Sequence, residues 1–427
     1  MSNISKLTLL AAAGAGGDSY WISTIAGDGV MRSPKGEDVA VDSSDNIYVV
    51  AETVQSGSVS QKGALVKYST DGEVLWARTY SGSSTATNAR FHTVRVDSND
   101  DIIVGGQDTG NFVVCKYDSS GSLVYQKKTT GYFGTPNGMN LDSSDNIYFT
   151  TDTTYLVKLN SSGAFQFARL LSGSYIGFQD IAVATSGNIY VCGQTDASPI
   201  GPNVGAFLAK YNSSGTLQWQ RGYGGTTGSD YAHGIALDSS ENIYTTGRMT
   251  SFGAGSNDTY INKHNSSGTL QFTRTLGGGV TEYGFGMAVD ADDNVLLCGL
   301  GTTGAPAYNA FLLALYSSSG TLQWQRGLGT GDTCQANRVA FNANGDILVT
   351  GQENLSNGNW ITAKLPVDGS LTGTYGRFYY FATTFTDTAQ TITNGTTSLT
   401  SSSATIAIGN GNKTSASRTV PDTLTSL

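Results

Sequence analysis

The chain has 427 residues, 38% hydrophobic and 13% charged, with 55 glycines, 7 prolines and a formal net charge of −9. An acidic balance without a Lys/Arg cluster excludes a phosphate-tracking nucleic-acid surface and broad binding to anionic membranes, since both need concentrated positive charge. No apolar run approaches the ~20 residues of a membrane helix, and the apolar content is too high for a disordered chain.

Residues 1–18 carry one lysine and a short apolar stretch at 7–13, read as a retained attachment segment rather than a cleaved secretion signal. An isolated Trp21 follows in SYWISTIAG. The main body then repeats one phrase seven times, an apolar run into a polar turn and out again: VAVDSSDNIYVV from Val39, then versions from Val94, Met139, Ile181, Ile235, Met287 and Val339. The corresponding turn residues, Asp42, Asp97, Asp142, Ala184, Asp238, Asp290 and Asn342, are 55, 45, 42, 54, 52 and 52 residues apart. A second phrase of the type FLAKYNSSGTLQWQR follows each of the first six. Both phrases are rich in β-branched and aromatic residues and bounded by Asp, Asn, Ser and Gly, which gives four short strands per unit. Strand-only units of this period predict an all-β, seven-bladed β-propeller over 19–377.

A large aromatic stands four residues after the glycine of each third-to-fourth-strand turn: Trp76, Tyr125, Phe167, Trp219, Phe272 and Trp324. The seventh unit has Gly373 there instead, and Trp21 is left over. The simplest account is that residues 19–26 form the outer strand of the last blade, so that the two ends of the ring lock together. Residues 378–427 lose the blade phrases, and 21 of these 50 are Ser or Thr. This small Ser/Thr-rich C-terminal extension is expected to be an attachment or oligomerisation arm that finds order on a partner.

No cofactor, catalytic or metal site is assigned. Cys115, Cys192, Cys298 and Cys334 are too scattered for a disulfide framework and are expected as free thiols, as in a reducing cytoplasm. The acidic turns, richest at Asp290, Asp292, Asp293 and Asn294, lack the alternating ligands and distal Glu of a calcium loop and read as side-chain caps of tight turns. A basic residue two places after each outer aromatic (Arg78, Lys127, Arg169, Arg221, Arg274, Arg326) reads as packing between blades rather than as a girdle for an acidic glycan.

The recognition surface is expected on one face of the disc. The loops between second and third strands are long at 52–62, 194–205 and 248–258 but short at 107–110 and 152–154. Variable loops on a rigid scaffold are where binding sits. The same face should carry the residues two places before each repeated phrase, Glu37, His92, Asn137, Gln179, His233, Phe285 and Asn337. One per blade, they would ring the mouth of the central channel, as ligand-binding groups or as a hydrated rim.

The repeated unit, best in 206–247, resembles the SBBP-type β-propeller repeat, which implies a scaffold or binding surface and supplies no catalytic residues. The opening MSNISKLTLLAAAGAGGDSYW resembles the starts of structural proteins of marine tailed bacteriophages. That resemblance implies a non-enzymatic virion protein, made in the host cytoplasm. It would join other virion proteins in a larger assembly through its terminal segments and present the propeller to a host-surface glycan or protein. The alternatives are a secreted or cell-surface bacterial adhesion propeller and a glycan-active enzyme using the channel mouth.

Overall fold

The computed structural model describes residues 4–9, 19–25, 31–55, 61–80, 88–129, 133–172, 176–196, 204–225, 228–253, 256–302, 309–353, 358–390, 392–395, 400–404, 408–410 and 416–418. Within them the chain makes seven antiparallel sheets arranged as propeller blades. Blade four is typical, running from channel to rim through Ile176–Val183, Ile189–Thr195, Gly205–Tyr211 and Leu217–Gly224. The middle strands are apolar on both sides because each blade is packed between two others. The core accordingly lies between blades: Tyr48, Val50 and Leu65 of blade one pack with Phe91, Val104 and Val113 of blade two.

Closure occurs where the unpaired tryptophan predicts it. Tyr20–Ile25 pairs antiparallel with Asn359–Leu365, with Trp21 opposite Lys364, and so completes the last blade from the other end of the chain. The outer aromatics explain why the seam holds. Each third-to-fourth-strand turn has a glycine at positive φ, and a Cβ there would strike the aromatic of the preceding blade: Gly121 meets Trp76, Gly268 meets Trp219, and Gly72 of blade one meets Trp21. Trp21 is thus the seventh member of the series, fully buried, stacked on Tyr68 at 5.7 Å and donating from Nε1 to Thr70 O at 3.1 Å.

The cations two places later bind the same turns. Arg78 Nε donates to Gly121 O (2.6 Å), Arg169 Nε to Gly215 O (2.8 Å) and Arg326 Nε to Gly369 O (2.6 Å), each guanidinium also lying over its own strand's aromatic. On the same face the acidic turns cap themselves, as when Asp290 Oδ1 accepts from the N–H groups of Asp292 and Asn294. They also reach the next blade, as when Asp100 accepts from Ser43 N and Oγ. These contacts leave the repeated Asp and Arg residues structural. All four cysteines are buried and free.

The segments outside the ring pair with it, which the sequence reading did not anticipate. Ile4–Leu9 adds a fifth strand to the last blade. The C-terminal chain then travels backward around the disc, one short strand per blade: Phe378–Ala382 on blade six, Thr386–Ala389 on five, Thr393–Gly395 on four, Thr400–Ala404 on three, Ile408–Asn410 on two and Ala416–Arg418 on one. The physical reason is the open hydrogen-bonding edge of every outer strand, which an extended Ser/Thr-rich chain can satisfy without a core of its own. Phe385 and Ile392 anchor this belt by inserting against blades five and six and blades four and five, respectively, and Arg274 forms an ion pair with Asp387.

Candidate functional site: the channel mouth

Each innermost strand carries a β-bulge at the same place. The pairing skips one residue between Gly36 and Asp38, Phe91 and Thr93, Pro136 and Gly138, Phe178 and Asp180, Ala232 and Gly234, Gly284 and Gly286, and Ala336 and Arg338. The skipped residues are Glu37, His92, Asn137, Gln179, His233, Phe285 and Asn337, the seven positions expected at the rim. They lie inside the strand rather than before it, because the strand begins earlier than the repeated phrase. An extra residue in a strand has no ladder partner and is turned out of the sheet; here the direction left open is the channel. All seven are half-buried and together line a depression of about 170 Å³ with Pro136 and Arg338.

A glycine in the neighbouring strand makes room for the bulge. At Gly106, Gly193, Gly247, Gly299 and Gly351 a Cβ would come within 1.7–2.0 Å of the carbonyl oxygens of Arg90, Gly177, Tyr231, Tyr283 and Gln335, two residues before the bulge. This is the close backbone approach for which a strand interior requires glycine.

The ring divides by chemistry. Asn137 Nδ2 donates to Phe178 O (2.7 Å) and Asn337 Nδ2 to Gly36 O (2.6 Å), so these two amides tie neighbouring blades. Gln179 Nε2 donates to Gln194 Oε1 at 3.3 Å. His233 and Phe285 instead form an aromatic cluster with two residues the sequence reading missed, Tyr231 and Tyr283. The His233 ring lies parallel to Tyr231 at 6.1 Å and 5.6 Å from Phe285, which is 6.0 Å from Tyr283. The signal was available: Tyr231 and Tyr283 precede ring positions by two, and spacing of two keeps side chains on one face.

Beneath the ring, charged groups line the channel. Arg338 lines both the mouth and a second cavity of about 460 Å³ toward the other face. Its Nη1 donates to Phe285 O (2.8 Å), and its guanidinium lies 3.7 Å from Asp180 and 4.0 Å from Asp38. Arg95 Nη1 binds Asp38 at 2.7 Å. Burial raises the carboxyl of Asp180 above the ordinary range, opposed by Arg338 and Arg95. Burial, then the charges of Arg248 and Arg338, push the His233 imidazole down to about 4, so it is neutral at physiological pH.

Away from the mouth, the seam between blades five and six buries Glu282, whose Oε2 accepts from Gly278 N at 3.1 Å. Burial, with Asp258 adding to it, pushes this carboxyl from its ordinary 4.5 up to about 7. A raised folded-state pKa means a stability contribution complete below about 4.5 and lost as pH rises through 7. Glu282→Gln is therefore expected to gain stability at pH 8, by at most about 3 kcal/mol, and to gain none at pH 4.5. Denaturant midpoints at the two pH values check this; an equal shift at both contradicts it.

The short connections at 107–110 and 152–154 are tight turns with Thr109, Gly110 and Thr154 at positive φ. The long ones at 52–62, 194–205 and 248–258 fall partly outside the described residues. Among the described residues no cluster of three or more His, Cys, Asp or Glu has a metal-binding arrangement.

The SBBP family model, described as a β-propeller repeat, matches residues 218–248. That span is one repeat of the seven and straddles a seam, from the outer strand of blade four to the second strand of blade five. No curated protein matches the chain. Among solved structures the chain is similar to virginiamycin B lyase from Staphylococcus aureus, at 10% identity and a TM-score of 0.55, over 86% of this chain and 100% of that one. It is also similar to U3-55K (12% identity, TM-score 0.54, 81% and 98% covered) and to the WD40 β-propeller domain of Doa1 (13%, 0.50, 79% and 94%). At these identities the likeness shows the fold alone.

Proposed function

We propose that this propeller is a non-enzymatic recognition scaffold whose channel mouth binds a sugar residue of a surface glycan. The observation that carries this reading is the ring itself: seven bulged residues gathered around one depression, with imidazole, amide and aromatic groups facing it. Bulges cost ladder hydrogen bonds and recur beside functional sites. Aromatic faces with a few polar groups are what a sugar ring needs, an apolar face to stack and hydroxyls to bond. Arg338 lines both the mouth and the larger cavity below it.

The finer placement, on the virion of a tailed phage, draws its support from the likeness of the first 21 residues to phage structural proteins. Because Ile4–Leu9 and the six short C-terminal strands pair with the blades, attachment to neighbouring subunits would use the outward edge of this belt. Purified particles are expected to contain the chain; its absence from them would remove this placement.

An immobilised glycan array probed with the full chain tests the recognition reading. Wild type is expected to bind a restricted set of glycans and Phe285→Ala to lose about tenfold in affinity. Leu75→Ser, on an exposed outer-strand position, should bind as wild type. Binding unaffected by Phe285→Ala would contradict the site, and glycan cleavage during the assay would contradict the non-enzymatic part.

A further inference from the structure

One sector of the mouth differs from the rest. Across the two inner strands, five of the seven bulges are flanked by a pair of facing residues two places away: Arg90 with Gln107, Gly177 with Gln194, Tyr231 with Arg248, Tyr283 with Leu300, and Gln335 with Gln352. In the other sectors most of these polar groups are occupied. Arg90 pairs with Glu52 and Gln61, Gln107 accepts from Thr135, Gln194 accepts from Gln179, and Gln335 donates to Asn337.

Arg248 is the charged group of these pairs that has no such partner among the described residues. Its guanidinium carbon lies 4.2 Å from the centroid of the Tyr231 ring and 5.5 Å from that of Tyr283, so the group is held between two aromatic faces. Its Nε is buried and has no hydrogen-bond acceptor among the described residues, and no carboxylate there pairs with it. Stacking immobilises the planar fork without using its N–H edge, the edge that grips a carboxylate with two parallel hydrogen bonds. Arg248 and Arg338 both act on the neutral His233 beside it.

The geometry points to an acidic sugar residue, a uronate, as the ligand of this sector: its carboxylate on the Arg248 fork and its ring against Tyr283, Phe285 and His233. This rests on the reading of the mouth as a glycan site and names the class of sugar. The depression of about 170 Å³, lined by His233 and Phe285 of this sector, has room for a single sugar ring. A neutral sugar could stack there but would leave the guanidinium edge unanswered.

The test titrates the full chain with sodium glucuronate and, separately, with glucose, read by NMR. Wild type is expected to bind glucuronate at least about tenfold more tightly than glucose. Arg248→Gln should abolish that preference, and Arg248→Lys should keep part of it, because a point charge replaces the fork. Equal binding of the two sugars by wild type, or an undiminished preference in Arg248→Gln, overturns the acidic class and leaves the mouth as a neutral-glycan site. Failure of wild type to bind either sugar or any glycan on the array overturns the class and the site together. If neither variant folds, the wild-type preference between the two sugars decides alone.

Discussion

Trp21→Ala is expected to cost about 3–5 kcal/mol of stability, the range for deleting a fully buried large aromatic. Three things go at once: the stack on Tyr68, the hydrogen bond to Thr70 O, and the ring filling the space against Gly72. The position matters more than the area. Six seams of the disc are joined by continuous chain; the seventh depends on strand Tyr20–Ile25 pairing with Asn359–Leu365, on this side chain reaching blade one, and on non-covalent contacts such as Asn337 Nδ2 to Gly36 O. Trp324→Ala, the equivalent change between blades six and seven, should cost less, because that ring is only half-buried. Denaturant unfolding of the two variants side by side checks this. Equal losses would mean that Trp21 is an ordinary core residue and that closure lies elsewhere.

Arg338→Met is expected to be comparably damaging at neutral pH, about 3–5 kcal/mol, because removing one partner leaves buried carboxylates without their cation. Asp38 retains Arg95 at 2.7 Å, so the loss falls mainly on Asp180, whose carboxyl burial already raises. The sign of the pH dependence follows. With its cation gone, the Asp180 pKa rises further above its unfolded value, so the deficit is greatest above the new pKa and shrinks as acid supplies the missing proton. Arg338→Met should thus lie closer to wild type at pH 5 than at pH 8. Asp180→Asn in the Arg338→Met background should recover part of the loss at pH 8. A deficit independent of pH, with no recovery in the double variant, would show that Arg338 acts by packing alone.

The ring of blades was readable because the repeats are written in the sequence at full strength: period, strand phrases, turn residues and the displaced tryptophan are all local signals. The seven mouth positions were readable for the same reason, since one register fixes them all. The bulge was not inferred, although its mark was there. Gly106, Gly193, Gly247, Gly299 and Gly351 interrupt otherwise apolar strands, and an isolated strand glycine signals a bulge or close backbone approach. The aromatic sector was missed because Tyr231, Tyr283 and Arg248 come together across strands and blades, and only pairing register reveals that.

The belt was the largest omission. Its strands are three to five residues long and mostly Ser and Thr, too short and too polar to show alternation. Phe378, Phe385 and Ile392 nevertheless recur every seven residues, and the sequence continues that spacing at Leu399 and Ile406. The buried contacts of Phe378, Phe385 and Ile392, with hydrogen-bonded edges between them, hold this part of the extended chain to the rim. Composition alone suggested a partner; the partner available is the propeller itself.

The central claim, that the mouth is where this protein meets its ligand, can be read from its histidines. The chain has three: His92 and His233 line the mouth, whereas His264 is fully buried in blade five against Tyr223, 5.3 Å away. Imidazole NMR spectra recorded during titration with a pool of neutral and acidic monosaccharides should show the His92 and His233 ring signals moving along one saturation curve while His264 stays fixed. Unmoved mouth histidines at saturating sugar, or a shift of His264 equal to theirs, would contradict it.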